Sequence, residues 1–153
     1  MAKFTVGNGI NEYIAELEKI SQLTPDMIGR SIYEGAKVVT DAIRSEINGP
    51  TEQDVTPVQK EGLLNGLGIA NLKQNLTSSD VKVGMDGYNT HITKKYPNGH
   101  PNMMIARSVI SGTSFHPRKN DFMSRATRAS KAQAEKAMKD EFDNQLKKIC
   151  VRR

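Results

Sequence analysis

Apolar residues return every three or four positions along the first third of the chain. Ile10, Tyr13, Ile14, Leu17 and Ile20 predict a short amphipathic helix over 9–22. Thr24-Pro25-Asp26 then offers an N-cap, a proline at the first helical position and an acid in the first turn. A second helix is expected beyond it, carried by Met27, Ile28, Ile32, Ala36, Val39, Ile43 and Ile47 and closed by Gly49-Pro50. At 1.5 Å per residue it would be about 37 Å long.

The pattern then changes. Residues 50–60 are polar, hold two prolines and read as a loop. Residues 61–76 contain three glycines and suit one or two helical turns or an irregular arm. Val81, Val83 and Met85 alternate before Asp86-Gly87, with Ile92 beyond, which predicts a β-hairpin over 80–93. Residues 96–102 are rich in Pro, Asn and Gly and read as an exposed loop. Met103 to Ile110 is apolar enough for a further strand, although Ala106-Arg107-Ser108 would also suit a helical turn. A last helix is expected from Asn120 or Asp121 to about Ile149, burying Phe122, Ala126, Ala129, Met138, Phe142, Leu146 and Ile149.

These elements predict an α+β fold, with long helices packed on a small antiparallel β-sheet in a single domain over 1–153. Within it, 1–23 is the N-terminal helix, 24–120 the long helix plus sheet, and 121–153 the C-terminal helix and basic tail.

Composition adds that the core is thin. The chain has 37% apolar residues, no Trp and few other aromatics, so some burial against a neighbouring subunit is expected. No stretch approaches the ~18 apolar residues of a membrane span, and the first residues lack the apolar core of a secretory signal. Cys150 is the only cysteine, which suits a reducing cytoplasm.

Charge is unevenly placed. Residues 1–54 carry 5 Lys and Arg against 9 Asp and Glu, whereas residues 116–153 carry 11 against 5. The front of the chain is acidic and the back is basic. One reading is solvated helix faces; the other is head-to-tail contact between copies, closing into a ring or extending as a filament.

Catalytic motifs are scarce. His91, His100 and His116 have no helical or Cys/His spacing of a metal site. Gly62, Gly66 and Gly68 follow no strand and match no phosphate-binding loop. The densest polar cluster, His100, His116, Arg118, Lys119 and Asp121, could in principle serve a small nuclease, with a His base and a cationic clamp. No catalytic, cofactor-binding or metal-binding residue is assigned. Lys94, Lys95, Arg118, Lys119, Arg125 and Arg128 are candidate contacts for partner proteins or, without sequence specificity, for DNA phosphates.

In order along the chain stand Glu34-Gly35-Ala36-Lys37-Val38-Val39, Gly62-Leu63-Leu64, Val81-Lys82-Val83-Gly84, Gly112-Thr113-Ser114 and Phe122-Met123-Ser124-Arg125-Ala126. This succession resembles the head–tail joining, or tail-completion, family of tailed bacteriophages, over roughly residues 25–149. Its most specific part is Gly112-Thr113, a short loop, then Phe122, Met123 and Ala126. The resemblance implies a structural virion protein of the neck, assembled in the host bacterial cytoplasm. It implies a homo-oligomeric ring with adjacent neck and tail proteins as partners, no catalysis and no cofactor. A tail terminator that caps the tube is a close variant. The alternative from another class is a basic nucleic-acid-binding protein or small nuclease. Gly112 is expected to end a strand with positive φ, and Phe122 and Met123 to plug the head of the last helix into the core.

Overall fold

A computed structural model describes residues 8–75 and 78–151; the side chains of residues 8–14, 16 and 151 lie outside it. The elements, in chain order, are α1 (Asn8–Asn48), a 3-10 turn (Glu52–Asp54), α2 (Pro57–Gly66), β1 (Leu67–Ile69), β2 (Lys73–Gln74), β3 (Ser79–Asp80), β4 (Val83–Met85), α3 (Asn102–Ser111) and α4 (Phe122–Val151). The fold is α+β, as the patterning predicts. Among the described residues, no helix is long and apolar enough to cross a membrane.

The first correction concerns Pro25. The chain does not break at 23/24; one helix runs through from Asn8 to Asn48 with Pro25 inside it. Proline at that position supplies no N–H for the helical ladder, a local cost that the flanking sequence overrides. Leu17, Ile20, Thr24, Met27 and Ser31 stay in helical phase on both sides of it, so one uninterrupted helix keeps that face continuous. Thr24 does not cap a new helix. Its hydroxyl donates back to the Ile20 carbonyl at 2.7 Å, as threonines inside helices do. Expectations placed on Ile10, Tyr13 and Ile14 fall outside the described side chains.

α1 and α4 lie side by side and make the most extensive packing in the molecule. Their antiparallel register is fixed at one end by Arg125 against Glu46, and farther along by Gly35, which faces the Met138 side chain. Small residues at this seam let the helices approach closely: Ser31 and Gly35 on α1, Ala126, Ser130 and Ala134 on α4 are all buried. Ser31 and Ser130 turn their hydroxyls to the carbonyls of Met27 and Ala126, so neither is left as an unpaired polar group.

The apolar centre lies where the C-terminal end of α1 meets the start of α4. There Ile43, Ile47, Leu63, Leu67, Met85, Ile105, Ala106, Val109, Phe122 and Ala126 form one cluster, with Met123 packed at its margin. Phe122 is 0% exposed and is among the largest fully buried side chains. Its expected role as the plug at the head of the last helix matches this geometry. Ala129, by contrast, is exposed, and Phe142, Leu146 and Ile149 are only partly covered, so the buried stripe of α4 thins toward its C-terminus.

Two further expectations are corrected. The hairpin over 80–93 does not form: β4 pairs antiparallel with β1, Leu67 opposite Met85 and Ile69 opposite Val83. The Asp86-Gly87 turn is present, with Gly87 at φ +73° and its N–H held by the Asp86 side chain at 2.7 Å. The strand it follows finds its partner upstream, in the glycine-containing segment the sequence left ambiguous. A second, two-residue antiparallel pair joins β2 to β3. The segment Met103–Ile110 is not a strand but part of α3. Its buried residues Asn102, Ile105, Ala106 and Val109 recur at helical spacing, and that face covers the cluster.

Because Phe122 fills its site completely, Phe122→Ala should lower the unfolding free energy by about 3–5 kcal/mol. Urea denaturation followed by circular dichroism would measure the loss.

Candidate functional site

The most elaborate polar structure is built by the segment between α3 and α4. Gly112 caps α3 at φ +73° and ψ 139°, a conformation open essentially only to glycine. It therefore takes the positive φ expected of it, while ending a helix and not a strand. Its N–H returns to the Ser108 carbonyl at 3.0 Å. Thr113 and His116 then bond each other's backbones in both directions, at 2.7 and 3.1 Å, which closes a tight turn. The Thr113 hydroxyl also accepts the His116 N–H at 3.2 Å. Farther on, the Asn120 N–H reaches the Val109 carbonyl at 3.0 Å. Asp121 caps α4, accepting the Ser124 N–H on its side chain at 3.2 Å.

His116 is buried under this turn. Its Nε2 lies 3.1 Å from Gln59 Oε1, and its Nδ1 lies 2.7 Å from Ser108 Oγ. Gln59 Oε1 also accepts the Thr56 N–H at 3.0 Å, in the capping box that starts α2. That atom is thus the amide oxygen, and Nε2 must carry the ring proton. The Ser108 hydroxyl then donates to Nδ1. A serine hydroxyl on a histidine is the pairing of nucleophilic enzymes, yet here the ring is enclosed and both its nitrogens are occupied by structural partners. His116 acts as a clasp between α2, α3 and the loop.

Asn120 forms a second clasp. Its amide donates to Asp54 Oδ2 at 2.6 Å and to Thr51 Oγ1 at 3.3 Å, and its Oδ1 accepts from the Arg125 guanidinium at 3.0 Å. Arg125 also donates twice to Glu46 Oε2, at 2.6 and 2.9 Å. The Glu46 hydrogen bond holds the Arg125 pKa above its ordinary value, against a small opposing effect of burial, so the guanidinium stays charged. Arg125, expected to be a partner or DNA contact, is thus half-exposed but already engaged inside its own chain.

The segment 86–102 is organised by asparagines. Asn89 Oδ1 accepts the N–H groups of His91 and His100 at 3.0 and 3.1 Å, and Asn102 donates to the Asp86 carbonyl at 2.8 Å. A Cβ at Gly99, where φ is +92°, would collide with the Asn89 carbonyl, so the loop closes only over glycine. The His100 ring sits between His91, at 5.4 Å, and Tyr96, at 4.5 Å. Lys94 and Lys95 are exposed here, with Lys95 Nζ 5.6 Å from the Tyr96 ring centre.

The nuclease-like cluster does not converge. His100 precedes the first turn of α3 and His116 follows its last, so a helix about 15 Å long separates them. Arg118, Lys119 and Asp121 are exposed, while His116 is enclosed. Among the described residues, no three His, Cys, Asp or Glu side chains gather as metal ligands. Exposed apolar side chains stand beside the basic ones: Phe115, 90% exposed, near Arg118 and Lys119, and Tyr88 and Ile92 in the loop that carries Lys94 and Lys95. Arg128 is exposed on α4. Gln59, Ser108, Thr51, Asp54 and Glu46 carry the two clasps, and nothing in their local sequence marks them; all but Ser108, eight residues from His116, meet their partners across a long stretch of chain.

No protein-family model matches the chain, and no curated protein or solved structure gives a significant match.

Replacing Asn120 with Leu should cost about 1–3 kcal/mol, because it strands the Asp54 carboxylate and the Thr51 hydroxyl together. Glu46→Gln should cost no more than about 1 kcal/mol, since the ion pair it weakens is open to solvent on its Arg125 side and the amide oxygen can still accept from the guanidinium. Chemical denaturation of both variants at low and high salt would check the ranking, with only the second loss shrinking as salt rises.

Proposed function

We propose that this chain is a structural subunit of a tailed-phage or prophage virion. It assembles with copies of itself into a ring of the neck or tail end, between the DNA-filled head and the tail, and works without catalysis or a cofactor. The observation that carries the reading is the division of labour among its polar groups. His116, Asn120 and Arg125 are spent on internal ties, while Lys94 and Lys95 are exposed in the loop of exposed Tyr88 and Ile92, Arg118 and Lys119 follow exposed Phe115, and Arg128 is exposed on α4. Large apolar groups ringed by charge suit association with other proteins. The succession of motifs from Glu34-Gly35 to Phe122-Met123 supports the assignment to a phage neck.

Strand edges supply a second means of association. Each strand has one strand partner among the described residues, and an edge without a strand partner is where a neighbour's strand can add. Adjacent neck and tail proteins are the natural partners, and the lysines and arginines suit non-specific contact with DNA passing through the ring. A terminator capping the tail tube would use the same surfaces.

Disrupting the gene in a producing phage should leave filled heads without infectious tails; virions of normal form and titre would rule the proposal out. Purified protein should be a ring-sized oligomer by light scattering and should leave DNA intact. A monomer that cuts DNA, and loses that activity in His116→Ala and Asp121→Ala, would put the nuclease reading in its place.

A further inference from the structure

α1 is longer than the helix it packs against. It has 41 residues and α4 has 30, or about 62 and 45 Å at 1.5 Å per residue. The Glu46–Arg125 and Gly35–Met138 contacts set the antiparallel register. Continued at that register, Val151 arrives opposite roughly residue 23 of α1. Among the described residues, the turns before it have no part of α4 against them. The described side chains there agree: Ala15, Leu17, Glu18, Lys19, Ser21, Gln22 and Leu23 are exposed, and only Ile20 is partly covered.

This projecting piece keeps the apolar seam of the packed part. Leu17 and Gly35 stand roughly five turns apart and so face the same way. Gly35 lies beneath Met138, whereas Leu17 is 47% exposed. The sequence continues the seam backward through Tyr13 and Ile10. A face of helix-packing character thus extends past the described part of α4.

We propose that a second copy of the chain covers this face, seating the α1 projection of one subunit on the outer surface of α4 in the next. The proposal rests on the ring reading above and names its interface. Charge selects the partner. Residues 8–21 carry Glu12, Glu16 and Glu18 against Lys19 alone, whereas α4 carries seven Lys and Arg against four acids. Two projections laid against each other would oppose acid to acid, which disfavours a two-fold pairing. The outer surface of α4 has a shallow hollow where Ala129 lies between Asp121, Arg125 and Arg128. Its small apolar floor admits a leucine or isoleucine, and Arg128 at its rim meets the glutamates. Because the two surfaces differ, the contact is heterologous and repeats around a ring.

Cross-linking tests the geometry. In a Cys150→Ser background, chains carrying Leu17→Cys would be mixed with chains carrying Ala129→Cys and treated with a short bis-maleimide. The expected product joins one chain of each kind, and neither variant alone should cross-link. Products joining two Leu17→Cys chains would show the projections pairing with each other and overturn the proposal. If no mixed product forms while the unaltered protein gives rings by light scattering, the interface is wrong and the ring reading stands. If the unaltered protein is also monomeric, both fail. Independently, Leu17→Asp with Ile20→Asp should reduce the oligomer to single chains with unchanged helical content by circular dichroism and a lower melting temperature, as loss of assembly requires; intact oligomers would count decisively against the interface.

Discussion

The close antiparallel contact between α1 and α4 is the constraint on which the rest of the molecule depends. Two long helices can approach this nearly only where their facing side chains are small, and Ser31, Gly35, Ala126, Ser130 and Ala134 provide that line. Such a seam is short of large apolar groups, so it gains little from area alone. Its anchor is at one end, where Phe122 enters the cluster built by Ile43, Ile47, Leu63 and Val109. α2, the β1–β4 pair and α3 gather at that end and close over the same residues, while the β2–β3 pair lies farther back along α1, with Gln74 on the Pro25 carbonyl. The opposite end of the seam is left sparsely covered.

The loop between α3 and α4 follows from the same need. To bring Phe122 into the cluster, the chain must leave α3, reverse and start a new helix within a few residues. Gly112 makes the exit, Asp121 starts α4, and the clasps at His116 and Asn120 fasten the path between them. Polar groups that would suit catalysis elsewhere are consumed here in holding a shape. The groups left outside, Phe115, Arg118 and Lys119, ride on a rigid support, which suits recognition by a neighbour.

Helical periodicity made much of this legible. Met27, Ile43 and Ile47 lie where their spacing puts them, and Phe122 and Gly112 behave as their neighbours in the sequence suggested. The errors have physical sources. Thr24-Pro25-Asp26 carries the same signals at a helix start and inside a helix, and only the uninterrupted phase of the flanking apolar residues separates the two cases. Ile105, Ala106 and Val109 had helical spacing, but in so short an apolar run it was outweighed by resemblance to a strand. The partner of Val83 and Met85 was hidden because pairing depends on where the chain returns in space, and the natural turn at Asp86-Gly87 pointed the wrong way along it. The clasps were invisible for a like reason: Gln59 and His116, or Asp54 and Asn120, have no local relation to each other.

Pro25 gives the long helix a built-in joint. It lies close to the level of Val151, the last described residue of α4, and its missing N–H leaves one rung of the helical ladder already absent. Bending there breaks one backbone hydrogen bond fewer than bending where the ladder is complete, while the Pro25 carbonyl also accepts from Gln74 Nε2 at 2.6 Å. In the ring proposed above, a bend at this joint would let the leading section of each subunit meet its neighbour at a slightly different inclination without disturbing the packed body behind.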